Sequence, residues 1–336
     1  MRAMVMAAGL GTRLRPITWE IPKPVVPVVN RPIVEHLVRL AAAHGVEEVA
    51  ANLHWFPDVV RGHLGDGADY GVEMNYHYEE ELLGTAGGVR GVADFLRGGD
   101  DDTFLVLAGD ALTDVDLSAL VEAHRHNDGV ATLGVKRIHD VSQYGVIVTS
   151  DEGRVEGFQE KPDPGEELSD LANCMIYAFD ASIFDYFPDT HPLDFANDLF
   201  PALLDGDVPF HVHEIDSYWN DIGTLPEYIN GNLDAVRGTV KVDFGPGTFC
   251  EEGEPPSGID FPDDIEVEGP ILFGEGVEVA AGASLVGPLV IGPNTKIGEG
   301  ARVKESVLLP GAEVAAGSVL ARGVMGDASH LVTEDW

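Results

Sequence analysis

Between residues 2 and 237, short apolar runs alternate with stretches whose apolar positions recur at helical spacing. Residues 3–8 form an apolar run, a helical pattern follows near 33–44, a second strand-like stretch, largely apolar from Val49, covers 46–53, and a second helical pattern covers 58–64. Residues 103–108, Thr103 followed by five apolar residues, run into Gly109 and Asp110. They precede a helical stretch at 116–127 for which Asp116 or Ser118 is a suitable N-cap. Strands alternating with helices predict an α/β domain, a mostly parallel, Rossmann-like sheet flanked by helices. Ligands of such sheets collect beyond the carboxyl ends of the strands, so the residues just after 3–8 and 103–108 carry functional weight.

The texture changes after Arg237. Residues 243–262 are rich in glycine, proline and acid, and read as a connector. From Ile265 the chain falls into sixes, with Val267, Phe273, Val279, Leu285, Ile291, Ile297, Val303 and Leu309 at equivalent places. One inward hydrophobe every six residues, separated by turn formers, is the mark of a left-handed parallel β-helix, whereas an alternating antiparallel sheet would repeat every two. The expected organisation is therefore an α/β domain at 1–237, a linker at 238–264 and a β-helix at 265–328.

Composition narrows the partners. With 336 residues, 44% of them hydrophobic, the chain is long enough for two cores. Lysine and arginine number 20 against 58 aspartates and glutamates, a net charge of −38, which disfavours nucleic acid and anionic membranes as partners. Cys174 and Cys250 are too few for a disulfide framework or a four-thiolate metal site, and no long apolar signal core precedes Arg13, so a cytoplasmic location is expected. The longest uncharged stretch, 279–295, is broken by glycine and proline and does not read as a membrane span.

One segment runs against the overall charge. Residues 1–34 hold Arg2, Arg13, Arg15, Lys23 and Arg31 against Glu20 alone. Here the run 3–8 enters Gly9-Leu10-Gly11-Thr12-Arg13-Leu14-Arg15-Pro16, with Pro22-Lys23-Pro24 shortly after. Glycines turn the chain and expose consecutive N–H groups, and the bases beyond them add charge, which together make a phosphate cradle. The dinucleotide fingerprint is not met, because Leu14 stands at the third glycine position, and no glycine-lysine-serine/threonine closes a P-loop.

These segments resemble the signature of the sugar-1-phosphate nucleotidyltransferases, as do Leu83-Gly84-Thr85-Ala86-Gly87-Gly88, Gly109-Asp110, Glu160-Lys161-Pro162, Asn173 and Trp219-Asn220-Asp221-Ile222-Gly223-Thr224. Many such enzymes carry a β-helix tail. The resemblance implies transfer of a nucleotidyl group from a nucleoside triphosphate to a sugar 1-phosphate, with release of pyrophosphate. It implies that Arg13 and Lys23 hold the reacting phosphates, that Asp110 and Asp221 hold Mg²⁺, and that Lys161 takes the sugar phosphate. Ala8, Gly9, Gly11, Thr12, Gly84, Thr85 and Gly109 would contact the nucleotide, and Tyr144, Gly145, Glu160 and Asn173 the sugar. Both reactants are anions, and like charges about 4 Å apart repel by ~4 kcal/mol at an effective dielectric near 20, so cations and a hard divalent ion are what the chemistry requires.

Gly84-Thr85-Ala86-Gly87 most resembles the base-reading loop of mannose-1-phosphate guanylyltransferases, which implies GTP and mannose 1-phosphate. Glucose 1-phosphate with dTTP or UTP is the alternative. Two rivals remain. A non-catalytic homologue that binds nucleotide-sugar would be expected to lose the charged residues retained here. An acyltransferase tail would need a histidine base, and none lies between Ile265 and Ser329. At Asn173 the sugar-1-phosphate nucleotidyltransferases often have glycine two residues on, where this chain has Met175. The flat flanks of the β-helix predict a homo-oligomer.

Overall fold

The computed structural model describes residues 1–99, 101–251 and 261–326, and the backbone of 331–333. The chain forms two compact units, one from residues 1–10 and 37–219, the other from 11–36 and 220–336. The helices expected at 33–44, 58–64 and 116–127 are Ile33–Ala43, Pro57–Leu64 and Leu117–His126. The last is capped by Asp116, whose carboxylate accepts from the Ala119 N–H at 2.9 Å.

A nine-stranded sheet organises the first unit. Its parallel half runs Thr103–Ala108, Arg2–Met6, Glu48–Leu53, Glu73–Tyr78, with Met6 level with Ala108 and with Asn52. All six residues of Thr103–Ala108 are buried, as a strand covered on both faces requires. Beyond it the sheet continues through the antiparallel strand Leu171–Asp180 to Gly145–Thr149 and Val155–Glu160, with Ala131–Arg137 and His211–Glu214 branching from Leu171–Asp180. Aromatic side chains fill the space under this half: the rings of Tyr177 and Phe195 lie 5.2 Å apart and those of Phe195 and Phe200 5.6 Å apart.

The C-terminal part of the second unit is a parallel β-helix of three stacked sheets. Val267 pairs with Leu285 and Leu285 with Val303, so these two coils advance 18 residues each, three sides of six. The next coil is one residue shorter: Val303 pairs with Leu320, Ile291 with Leu308 and Ile297 with Val314. The missing residue lies at one corner, which Gly287, Pro288 and Leu289 turn in one coil and Glu305 and Ser306 turn in the next, with Glu305 at φ +45°. The sixfold reading therefore holds through Val303 and slips at Leu309. Leu308 takes the inward place in the core, and Leu309 does not.

Antiparallel strands Thr248–Cys250 and Leu331–Thr333 close the two ends of the largest of these sheets. The first lies within the stretch expected as linker. Residues 252–260 of that stretch, and 327 and 328 of the expected β-helix, lie outside the described residues.

Candidate functional site

In the first unit the strand ends build a polar rim. The Gly109 N–H donates to the Met6 carbonyl at 2.9 Å, and a Cβ on Gly109 would stand 2.4 Å from that oxygen. Only glycine allows the approach, which holds the turn carrying Asp110 at the carboxyl end of Thr103–Ala108, level with the end of Arg2–Met6. Asn52, at the end of the next strand, accepts from the Ala7 N–H at 2.8 Å and donates to Glu79 Oε1 at 2.7 Å. Glu79 Oε2 in turn accepts from the Leu83 N–H at 3.0 Å. Asn52 and Glu79 are buried and thus tie the glycine turn to the Gly84–Gly88 loop. Sequence reasoning passed over both. The signal was an amide interrupting a buried apolar strand and an acid run just ahead of Leu83.

Glycine packing shapes that loop. A Cβ on Gly84 would stand 2.3 Å from the Leu193 carbonyl oxygen, and one on Gly88 would stand 2.6 Å from Asn52 Nδ2. The Thr85 hydroxyl donates to Asp194 Oδ2 at 2.7 Å and accepts from the Phe195 N–H at 3.0 Å. These bonds fasten the first turn of the Thr85–Gly91 helix to the 193–195 segment.

The expected sugar-side residues gather at one end of the antiparallel half. Glu160 pairs with Gly145, the Lys161 N–H donates to the Tyr144 carbonyl at 3.1 Å, and the Lys161 ammonium donates to Glu160 Oε1 at 2.6 Å. Trp219 packs edge-on against Tyr144 at 5.3 Å, with its indole N–H buried and unpartnered. Val146 pairs with Ala172, which brings Asn173 to the same end. The Asn173 amide donates to the Tyr177 hydroxyl at 2.8 Å and accepts from the Met175 N–H at 3.1 Å. Burial pushes the Tyr177 hydroxyl pKa up, so it stays protonated. Met175 occupies φ +52°, the left-handed region that glycine adopts freely, so the backbone keeps a glycine-like bulge although the residue is methionine.

The second unit holds the cationic loop. Gly11, at φ +60°, could carry no side chain without crowding Lys23 Cβ at 2.8 Å, and its carbonyl accepts from the Thr18 hydroxyl at 2.7 Å. The curl from Gly11 to Lys23 leaves Thr12 and Arg13 exposed and buries Lys23. Arg13 Nη2 lies 3.5 Å from Asp221 Oδ2, and the Lys23 ammonium donates to the Asp221 backbone carbonyl at 3.1 Å.

Asp221 sits in a tight turn. Its carboxylate accepts from the Gly223 N–H at 3.1 Å, and the Asn220 amide accepts from the Ile222 N–H at 2.8 Å. Thr224 then caps the helix Leu225–Val236. Burial first, and then the charge of Asp221, raise the pKa of the Glu227 carboxyl. The part-exposed Asp221 carboxylate offers hard oxygen donors of the kind a small divalent ion takes. Among the described residues no three His, Cys, Asp or Glu side chains form a ready cage.

The nucleotidyl transferase family matches residues 2–237, and a GMPPB C-terminal domain matches 267–334. A Synechocystis protein named UTP–glucose-1-phosphate uridylyltransferase is 36% identical over 95% of this chain and 86% of its own length. A Mycobacterium tuberculosis mannose-1-phosphate guanylyltransferase is 35% identical over 95% of this chain and 83% of its own. Among solved structures, a Bacillus anthracis protein assigned as a glucose-1-phosphate thymidylyltransferase, in complex with sucrose, superimposes with a TM-score of 0.64. That match is at 24% identity over 73% of this chain and 97% of that one, a likeness of fold. Among the described residues no helix is long and apolar enough to cross a membrane.

Proposed function

The chain belongs to the nucleotidyl transferase family, and from that membership we propose that it joins a sugar 1-phosphate to the nucleotidyl group of a nucleoside triphosphate, releasing pyrophosphate. GTP and mannose 1-phosphate are the proposed pair, supported by the M. tuberculosis relative and by the GMPPB C-terminal domain. The Synechocystis relative, at 36% identity against 35%, supports glucose 1-phosphate with UTP as the second reading.

The observation that carries the activity is the cluster of Arg13, Lys23 and Asp221, a buried lysine and an exposed arginine converging on one carboxylate-bearing turn. In this reading a phosphate oxygen of the sugar 1-phosphate attacks the α-phosphorus, and the bond to the leaving pyrophosphate breaks. The nucleophile is already ionised, so no base is assigned. Arg13 and Lys23 hold the triphosphate and take up charge on the departing pyrophosphate, the former by a forked contact and the latter as a point charge. Lys161 holds the sugar phosphate, Glu160 and Tyr144 face the sugar, and the N–H groups from Ala8 to Thr12 face the nucleotide phosphates. Asp110 and Asp221 are the assigned ligands for Mg²⁺, which when bound supplies neutralisation of the phosphate oxygens. Alignment and electrostatics suffice for such a transfer.

A homo-oligomer built through the β-helix is part of the proposal, and gel filtration tests it. The activity is tested by pyrophosphate release from four nucleoside triphosphates against several hexose 1-phosphates. Turnover of GTP with mannose 1-phosphate above all other pairs is expected. Preference for UTP with glucose 1-phosphate would establish the second reading, and no turnover of any pair would end both.

A further inference from the structure

The cationic loop leaves Lys23 and runs at once into a two-stranded hairpin, Pro27–Val28 against Arg31–Pro32. Its two turn residues, Val29 and Asn30, both lie in the left-handed region, at φ +44° and +62°. A β-branched residue there is strained, and such strain persists only where the surroundings over-determine it. Here the surroundings are specific. The Val29 N–H donates to Asn232 Oδ1 at 2.8 Å, and the Val29 carbonyl accepts from the Gly245 N–H at 2.7 Å. Asn30 Nδ2 donates to the Ile291 carbonyl in the β-helix at 3.0 Å. Arg31 spans the carbonyls of Asp243 and Phe244 at 3.3 and 2.9 Å. A Cβ on Gly245 would stand 1.9 Å from the Asn30 carbonyl oxygen, so the strap 243–247 can lie across the hairpin only with glycine at that place.

The same strap continues into Thr248–Cys250, which pairs with the β-helix strand Ile271–Phe273. At the other end of the hairpin, the Tyr228 hydroxyl donates to the Pro27 carbonyl at 2.6 Å from the helix that begins just after Asp221. Lys23 and Asp221 are thus both referenced to the same frame, the helix Leu225–Val236 and the β-helix.

We propose that the β-helix is a positioning element for the phosphate-binding loop: Asn30, Arg31 and Gly245 clamp the hairpin 27–32, and the clamp sets Lys23 and Arg13 against Asp221. The role rests on the nucleotidyl transfer proposed above. It makes Asn30 and Arg31 positioning residues, with no contact to substrate.

The test uses the full chain. Asn30→Asp keeps the shape and the left-handed turn but turns a donor into an acceptor facing the Ile291 carbonyl. Arg31→Lys keeps the charge and can reach only one of the two carbonyls. Each is expected to lower kcat at least fivefold and raise the KM for the triphosphate at least threefold, with the KM for sugar 1-phosphate and the thermal midpoint little changed. Added to Lys23→Ala, Asn30→Asp should cost less than its full factor on the wild type, because one of the two groups it positions is gone. Folded single variants with wild-type kcat and KM, or effects that multiply fully on the Lys23→Ala background, would overturn the proposal. Binding of Mg²⁺·pyrophosphate, read by calorimetry, separates this from the assigned activity. An Asn30→Asp protein that binds it at least fivefold more weakly supports the clamp even if no sugar phosphate is turned over, and unchanged binding refutes it.

Discussion

Arg13 Nη2 stands 3.5 Å from Asp221 Oδ2, joining the glycine-rich loop to the turn ahead of the helix Leu225–Val236. Arg13 is half exposed, and pairs of this kind contribute about 0.2–1 kcal/mol to stability, too little to explain the arrangement as a structural device. Asp221→Asn should therefore leave the melting temperature within about 2 °C, in line with that small contribution. Turnover should fall at least ~100-fold, the scale of losing one electrostatic stabiliser of the transition state. A Mg²⁺ titration of pyrophosphate release checks it, and near-normal activity would remove Asp221 from the metal site.

Lys161 is the second test of the assigned roles. Its ammonium rests on Glu160 at 2.6 Å and is more than half exposed, so a phosphate can compete for it at small cost. A charge-assisted hydrogen bond contributes about 1.5–3 kcal/mol, or roughly 10–150-fold in affinity. Lys161→Ala is expected to raise the KM for sugar 1-phosphate by at least ~10-fold and leave that for the triphosphate within about twofold. A selective loss of triphosphate binding would show the roles exchanged.

How far these features could be read from the chain depends on whether their causes are local. The inward hydrophobes from Val267 to Val303 were legible because the coil repeats its own geometry. The slip at Leu309 was not, because one residue fewer at the Glu305–Ser306 corner leaves each flanking hexapeptide looking normal. Asp110 was legible as the residue after a buried strand. The Ala7–Asn52–Glu79–Leu83 network was not, since it joins three strand ends through side chains that individually resemble ordinary polar residues. Met175 shows a third case: a departure from the family's glycine that suggests a different bulge, whereas tertiary packing holds the left-handed backbone with methionine in place. The grouping of residues 11–36 with the C-terminal half follows from contacts such as Asn30 with Ile291, which no local pattern announces.

Stability should depend on pH through His124. The ring is buried, with Nδ1 3.0 Å from the Thr132 hydroxyl and Nε2 3.4 Å from Asp180 Oδ1. Burial lowers its pKa. The opposing pull of Asp180 is weaker because that carboxylate is about two-fifths exposed and screened by water, so the imidazole is neutral in the folded protein. The unfolded chain takes up a proton near pH 6.5 that the folded one does not. The contribution is thus intact above about pH 6.5 and lost as the pH falls through that value toward the depressed folded pKa, by up to ~1.4 kcal/mol per unit. In His124→Gln the fall in melting temperature between about pH 7.5 and 5.5 should be smaller than in the wild type by about 2 °C or more. Equal losses in the two proteins would show that His124 does not carry the dependence.

Asn52 offers the sharpest separation of stability from function in the first unit. Its carboxamide meets the Ala7 N–H and Glu79 Oε1, and Glu79 meets the Leu83 N–H, all out of water. Asn52→Ala strands a buried N–H and one oxygen of a buried carboxylate, each costing about 1–3 kcal/mol, so a loss of roughly 2–6 kcal/mol is expected by denaturant titration. Asn52→Asp is expected to be worse at neutral pH, because it sets a second carboxylate against Glu79 with no cation between them, and to recover in part as the pH is lowered. The functional consequence follows from what the bridge connects. The glycine turn and the Gly84–Gly88 loop are the two segments assigned to the triphosphate, so Asn52→Ala, assayed well below its melting temperature, should raise the KM for the triphosphate and leave the KM for sugar 1-phosphate near its wild-type value. An Asn52→Ala protein that lost less than about 1 kcal/mol would show that the bridge does not support the fold, and one whose two KM values rose together would show that it does not register the two loops.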